Sequence, residues 1–382
     1  MAQPYPVAKL GIIGGGQLAR MMIPPATRLG CEVTILDPAK DCPAAAMADR
    51  HIVASLDDEA ALSELVRSCS VTTFDIEAVA TAPLQALASD GHIIRPAADL
   101  LATIQDKLLQ KQRYQAAGIP TSPFTQIDAP DAASLAAFGL PLVQKARRGG
   151  YDGRGVAVFR DVIDADQILP VPSMVERYVD YRCELAVLVA RSVDGSSASY
   201  PVVEMAFDSR ANILDLLIAP ARIDPALAEK ASRLAEQTVA ALAGVGVFGV
   251  ELFLTWDGEI LVNEVAPRTH NSGHWTIEAC QTSQFEQHVR AVLGLPLGST
   301  RQHSPAVMLN LLADSDARGD AVLSGLEQVL AVPGVAVHLY GKRQVKPHRK
   351  MGHLTITAAT MNEALANADR VRELLHITGT ET

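Results

Sequence analysis

A chain of 382 residues has room for two or three domains at roughly 100–200 residues each. Its 33 basic and 43 acidic residues leave a net charge of −10, which excludes a general binder of nucleic acid or anionic membrane, since either needs a basic footprint. With 48% apolar, 20% charged and 4% aromatic residues it is a globular chain packed mainly by aliphatics, and a phosphorylated substrate would require its cations gathered in one place.

The chain opens as α/β. Leu10-Gly11-Ile12-Ile13 reads as a buried strand, followed by Gly14-Gly15-Gly16 and a helix over Gln17–Leu29. Strands at Val33–Leu36, Ile52-Val53 and Val71–Phe74 alternate with helices over Glu59–Arg67 and after Pro83, the pattern of a doubly wound parallel sheet. Pro96 opens a helical stretch that runs to Gly118 and stops at Ile119-Pro120.

The middle of the chain differs in character. A strand at Leu142–Lys145 leads into Arg147–Gly155, where four glycines and three arginines make a mobile cationic loop. Strands at Ser173–Tyr178 and Leu185–Ala190, a helix over Ala226–Ala243, and strands Val247–Thr255 and Ile260–Val265 follow. After Leu297 the pattern is β-rich, near Val307–Leu312, Val335–Tyr340 and Leu354–Thr357, and a helix over Asn362–Leu375 closes the chain. The cysteines, Cys31, Cys42, Cys69, Cys183 and Cys280, fit neither a zinc site nor a disulfide framework. The longest apolar run, Val239–Val250, is too short to span a bilayer, and the first nine residues hold no signal-peptide stretch; these features predict a cytoplasmic protein.

Two motifs carry chemistry. Gly14-x-Gly16-x-x-Ala19, with Asp37 at the end of the second strand, matches a dinucleotide fingerprint. The same turn could instead present backbone N–H groups to any anion, or serve only to pack a strand tightly against a helix. The stronger motif is Glu251 with Glu264. Taking Asp257-Gly258 as a two-residue hairpin loop pairs Trp256 with Glu259, Leu252 with Asn263 and Glu251 with Glu264. Two carboxylates directly opposed across strands repel, so a cation should offset them, and Mg²⁺ completed by substrate phosphates fits. Asn263 adds an oxygen, and Pro267–His274 is a run of polar donors that must be solvated or meet a ligand. Two glutamates solvated at the surface or paired with lysines would be the plainer explanation.

The run Gly249–Phe253 … Val262–Trp275 resembles the 5-(carboxyamino)imidazole ribonucleotide synthetase family of the ATP-grasp superfamily. Gly11–Leu18, Gln105–Lys107, Arg147–Gly155, Tyr200–Glu204, Tyr340–Lys342 and Arg349–His353 match it in the same order along nearly the whole chain. The resemblance implies a Rossmann-like domain over 1–104, an ATP-grasp domain over 105–298 with a lid subdomain about 120–183, and a small β-rich domain over 299–382. It also implies a homodimer that uses ATP, Mg²⁺ and bicarbonate to carboxylate the exocyclic amine of aminoimidazole ribonucleotide, by way of carboxyphosphate.

By that resemblance Lys107 and Lys145 would contact ATP phosphates, Glu176-Arg177-Tyr178-Val179 would line the adenine pocket, and Glu184 would hold the ribose. Glu251 and Glu264 would bind Mg²⁺ beside Asn263. Tyr151, Asp152, Gly153, Arg154 and Gly155 would close over the triphosphate, with Tyr151, Asp152 and Arg154 also meeting bicarbonate or the ribonucleotide. Arg268, His270, Asn271 and Ser272 would gather bicarbonate and substrate, Gln17 and Glu77 would touch the ribonucleotide, and Lys342 with Arg349 would hold its 5′-phosphate. Three departures stand out. Phe207 occupies the place of a histidine expected at ATP, Phe74–Ala78 shortens one acid, and His348 replaces a glycine. A nicotinamide-dependent dehydrogenase, a binding protein without turnover, and a formate-using glycinamide ribonucleotide transformylase are the competing readings.

Overall fold

The computed structural model describes residues 6–150, 155–207 and 214–381. Four short strands, Ala8–Ile13, Cys31–Leu36, Arg50–Ile52 and Val71–Phe74, form a parallel sheet with the first strand between the second and the fourth. Both faces are covered, which is why these strands are nearly all apolar. Helix Gln17–Arg28 covers one face together with Gln284–Leu293, a helix from far along the chain whose Phe285, Val289 and Val292 join Leu10, Ile12 and Met22 in one buried cluster. Helices Glu59–Ser68, Thr81–Ser89 and Ala98–Ile104 cover the other face.

The helical stretch expected between Pro96 and Gly118 is two helices, Ala98–Ile104 and Lys107–Ala116. Asp106 makes the break: its carboxylate accepts from the N–H groups of Leu108 (3.1 Å) and Leu109 (3.5 Å), capping the second helix. It also accepts from Arg147 Nε (3.1 Å) and Nη2 (2.7 Å), so the cap is tied to the start of the arginine-rich loop. That loop joins Leu142–Ala146 to Val156–Phe159 in a four-stranded antiparallel sheet, which Phe124–Ile127 and Ser173–Arg177 complete.

The largest sheet is antiparallel. Its strands run Ile260–Ala266, Gly246–Thr255, Tyr181–Arg191, Val203–Phe207, Leu214–Ala219, Ala306–Leu312, Lys350–Thr357 and Val335–Leu339, without a break between 298 and 299. Leu185, Val187, Val250, Leu252 and Val262 point from one face into a core under helix Pro225–Leu242. Val203–Phe207 and Leu214–Ala219, which no periodicity announced, are the strands that join the two halves. The terminal helix ends at Arg372 and is followed by a strand, His376–Glu381, paired with Arg318–Ser324; the chain does not close on its helix.

The carboxylate hairpin departs from the expected register in two places that cancel. Its loop has three residues, Trp256-Asp257-Gly258, with Leu254 opposite Ile260 and Gly258 at φ +83°. Leu252 then faces Val262 rather than Asn263, and Asn263 is an extra, bulged residue that restores the pairing of Glu251 with Glu264. The opposed glutamates stand, on a different turn.

Candidate active site

Glu251, Glu264 and Glu184 sit on adjacent strands of the large sheet: Glu251 faces Glu264 on one side and Ala186 on the other, two residues from Glu184. Alternation along the strand turns Glu184 and Glu251 to one face. The bulge turns Asn263 toward the same cluster, and each second-strand group meets a lysine. Lys107 Nζ lies 2.8 Å from Glu264 Oε2, and Lys145 Nζ donates to Asn263 Oδ1 at 3.1 Å. His270 Nε2 lies 3.5 Å from Glu251 Oε1. Gly249, two residues before Glu251, makes room for this histidine: a Cβ there would stand 2.7 Å from both Cβ and Cγ of His270.

The two carboxylates are electrostatically unequal. Lys107 first, then Lys145, hold Glu264 below the ordinary range against the effect of burial. Burial, then the charges of Glu264 and Glu184, push Glu251 up. Glu251 therefore holds the proton more readily at a site that still lacks positive charge. Two carboxylates and an amide oxygen suit Mg²⁺, which takes few protein ligands and completes its octahedron with phosphate and water. Among the described residues no group of three His, Cys, Asp or Glu could hold a metal ion by itself, so the protein alone builds no closed cage.

Beneath the site is a triad that the sequence reading did not identify. Glu176, buried on strand Ser173–Arg177, lies 2.5 Å from Lys145 Nζ and 2.9 Å from Lys111 Nζ, and accepts from Ser122 Oγ. Burial alone would raise its pKa; Lys145 and Lys111 overcome that and hold it well below the carboxylate range. The carboxylate of Glu176 is thus committed to fixing Lys145. Lys111 gave one signal, its position four residues after Lys107 on the same helix face. Arg177 points to the other side of the small sheet, donating to the Leu140 carbonyl at 3.3 Å. Tyr178 takes a hydrogen bond from Arg160 (2.7 Å), and Val179 follows it, half-buried. Glu184 accepts from the Tyr181 hydroxyl at 2.7 Å. Phe207 packs against the cluster of Met205 and Leu214, in an apolar place where a histidine would need a partner.

Arg268 Nη2 lies 3.0 Å from Glu77 Oε1, joining the run after the hairpin to the end of the parallel sheet. Ser272 is fully buried and hydrogen-bonds His270 Nδ1 at 2.8 Å, so it stands behind the histidine. Asn271 is paired with Asn310. Gln284 grips the backbone of His270 at both N–H (2.8 Å) and C=O (2.7 Å). Gln17 opens its helix, and one turn on, Arg20 lines a 390 Å³ cleft with Lys40, Gly341 and Arg343, bringing the first sheet against the C-terminal segment. Lys342 donates to the Lys350 carbonyl (2.8 Å) and Arg349 to that of Gln344. His348 has φ +59°, the left-handed region that glycine adopts freely. Tyr151, Asp152, Gly153 and Arg154 lie outside the described residues; Gly155 has φ +72° and sits against Ala146.

The glycine turn is already supplied with anions. Gly15 N donates to Asp37 (2.8 Å), and Gly16 N (2.8 Å) and Ala19 N (3.2 Å) donate to Asp75. A Cβ at Gly14 would stand 1.7 Å from Asp75 Oδ1. The carboxylates occupy the N–H groups that a dinucleotide pyrophosphate would need, which removes the structural basis of the dehydrogenase reading.

Comparison with known proteins agrees with this layout. A profile of the ribonucleotide synthetase preATP-grasp domain matches residues 7–105, one of the ATP-grasp domain matches 112–285, and one of the phosphoribosylaminoimidazole carboxylase C-terminal domain matches 306–367. The N5-carboxyaminoimidazole ribonucleotide synthase of Synechococcus elongatus is 42% identical over 359 residues, 92% of this chain and 90% of that one. The crystal structure of the synthetase from Thermotoga maritima superposes with a TM-score of 0.91 at 44% identity, covering 97% and 99% of the two chains. The Aspergillus clavatus synthase, crystallised with ADP and 5-aminoimidazole ribonucleotide, gives a TM-score of 0.87 at 36% identity over 96% and 98%. The chain belongs to the N5-carboxyaminoimidazole ribonucleotide synthase family and is an ATP-grasp ligase.

Proposed function

We propose that the chain uses ATP and bicarbonate to carboxylate the exocyclic amine of 5-aminoimidazole ribonucleotide, giving N5-carboxyaminoimidazole ribonucleotide, ADP and phosphate for purine biosynthesis. The observation that carries this reading is the opposed Glu251/Glu264 pair, flanked by Lys107 and Lys145 and touching His270 of the polar run. A bicarbonate oxygen attacks the γ-phosphorus, the bond to ADP breaks, and carboxyphosphate forms. The amine nitrogen then attacks the carboxyl carbon, the bond to phosphate breaks, and the departing phosphate takes the amine proton.

Such transfer asks mainly for positioning and charge stabilisation. Lys107 and Lys145 hold phosphate oxygens, with Glu176, itself paired with Lys111, fixing Lys145 from below. Glu251, Glu264 and Asn263 would hold Mg²⁺, which would supply positive charge to offset the phosphate oxygens. Tyr178, Val179 and the backbone of Glu176 and Arg177 line the adenine, Glu184 takes the ribose, and Phe207 supplies apolar packing. Arg268 offers a planar fork to bicarbonate, with His270 and Asn271 beside it and Ser272 setting the histidine ring. Gln17 and Glu77 meet the ribonucleotide from the parallel sheet, Lys342 and Arg349 its phosphate from the other side, and residues 151–155 exclude water from the carboxyphosphate. A homodimer belongs to the same proposal, and sedimentation at micromolar concentration tests it.

The deciding experiment is ADP release from Mg-ATP and bicarbonate with and without aminoimidazole ribonucleotide. Strong stimulation by that ribonucleotide, and none by glycinamide ribonucleotide with formate, is expected. Stimulation by the second pair alone would assign the formate-using reaction, and ATP binding without ADP release in any mixture would leave a binding protein.

A further inference from the structure

The C-terminal strands present three polar residues in one row across the sheet: Asn310 pairs with His353, and His353 with His338. The segment that follows the carboxylate hairpin lays three residues of its own along that row. Asn271 and Asn310 exchange amide hydrogen bonds in both directions, each 2.9 Å. The rings of His274 and His353 lie 4.6 Å apart, and His338 Nε2 meets Glu278 Oε1 at 2.6 Å. Along the row, His338 and His353 stack at 4.4 Å with 8° between planes, and the Tyr340 hydroxyl meets His353 Nδ1 at 3.0 Å.

Both ends of this arrangement lead to the active site. On one side, Gln284 holds His270 through its backbone and His274 through Nδ1 (3.1 Å), so a shift of His274 is felt at His270. On the other, Lys342 follows Tyr340 by two residues, with its ammonium 5.4 Å from the Tyr340 ring centroid, and Arg349 immediately precedes the strand that carries His353. An apolar seam of the same area would bury as much surface but could slide. Two of the three meetings, Asn271 with Asn310 and Glu278 with His338, are hydrogen bonds. The middle one sets ring against ring, and His353 Nε2 and Glu278 Oε2 have no hydrogen-bond partner among the described residues. A slip of register would break both outer contacts and add to the buried unpaired groups. Burial first, and then neighbouring cations, keep His274 and His353 neutral at the middle of the seam.

We propose that Asn310, His353 and His338 are positioning residues that hold the bicarbonate-side loop, through Asn271, His274 and Glu278, at a fixed distance from the phosphate-side Lys342 and Arg349. The proposal rests on the functional reading above. The seam sets where the ribonucleotide amine lies relative to the activated carboxyl group, while the ATP groups sit on other strands.

The test compares His338→Leu with the conservative His338→Gln, which keeps a donor for Glu278. For His338→Leu the KM for aminoimidazole ribonucleotide is expected to rise about tenfold with the KM for ATP unmoved, below the roughly 100-fold that a misplacement of about 1 Å at a reacting centre can cost. ADP release should exceed product formed, and amide exchange should quicken over residues 270–279 but not 246–255. His338→Gln should restore all three. Asn310→Ala is the second variant should His338→Leu fail to fold. Equal rises in both KM values, unmoved KM values despite faster exchange, or unchanged exchange would each overturn the proposal. If the unaltered enzyme shows no ribonucleotide-dependent ADP release, the functional reading fails separately, and unchanged exchange over 270–279 still overturns the seam.

Discussion

The glycine turn and the carboxylate hairpin are both motifs that a reader of sequences takes for ligand sites, and the fold treats them oppositely. At the turn, the N–H groups of Gly15, Gly16 and Ala19 are met by Asp37 and Asp75 from neighbouring strand ends. At the hairpin, like charges face each other, and the offsetting cations, Lys107 and Lys145, come from outside the hairpin. The N–H groups of the turn already have their acceptors, whereas the hairpin still lacks positive charge at Glu251. Binding chemistry belongs where a local charge pattern is left open to an incoming partner, whatever the motif suggests.

The largest effect should come from the hairpin. Glu264→Gln is expected to cut turnover by about 100-fold or more, above what outer-sphere partners of a metal usually cost, with the circular dichroism spectrum and melting temperature preserved. Near-normal turnover would remove Glu264 from the metal site and with it half of the contrast. Gly249→Ala sharpens the same side, since its methyl displaces His270 from Glu251. A fall in kcat on the order of tenfold is expected, together with about 1–3 kcal/mol of stability from overpacking. A loss of stability with no change in kcat would detach His270 from the chemistry.

At the turn the expected signature is pH-dependent stability. Burial first, against the hydrogen bonds from Ala19 and Gly16, raises the Asp75 pKa to about 6 in the folded chain, whereas the unfolded value is about 3.9. Asp75 is almost fully buried. As pH rises from about 4 to 6 the unfolded chain releases this proton and the folded chain keeps it, so Asp75 withdraws stability across that window. The withdrawal is complete above about pH 6 and amounts to roughly 3 kcal/mol. The difference in unfolding free energy between the unaltered chain and Asp75→Asn, followed by urea titration, should slope between pH 4 and 6 and be flat above. A flat difference throughout would mean that burial does not raise the Asp75 pKa above its unfolded value. The smallest effect lies away from both motifs. His348→Gly should stabilise by about 1 kcal/mol, the cost of a side chain in the left-handed region, as read from the unfolding midpoint.

Element identity was largely legible from local pattern: apolar runs between glycine and proline signals located the parallel strands and the strands of the hairpin to within a few residues. The opposition of Glu251 and Glu264 was legible too, although the expected two-residue loop and uninterrupted strand were both replaced, by a three-residue loop and a bulge at Asn263. The break at Asp106 is a local N-cap that Arg147 then ties to the loop, whereas tertiary contacts alone decided the strands Val203–Phe207 and Leu214–Ala219, stabilised by pairing rather than by pattern. They also decided the commitment of Glu176 to Lys111 and Lys145, and the fate of the glycine turn, which depends on Asp75 59 residues beyond Gly16. Local periodicity records which face of an element is apolar. Which charge meets which is a matter of distance in space, and spacing along the chain does not carry it.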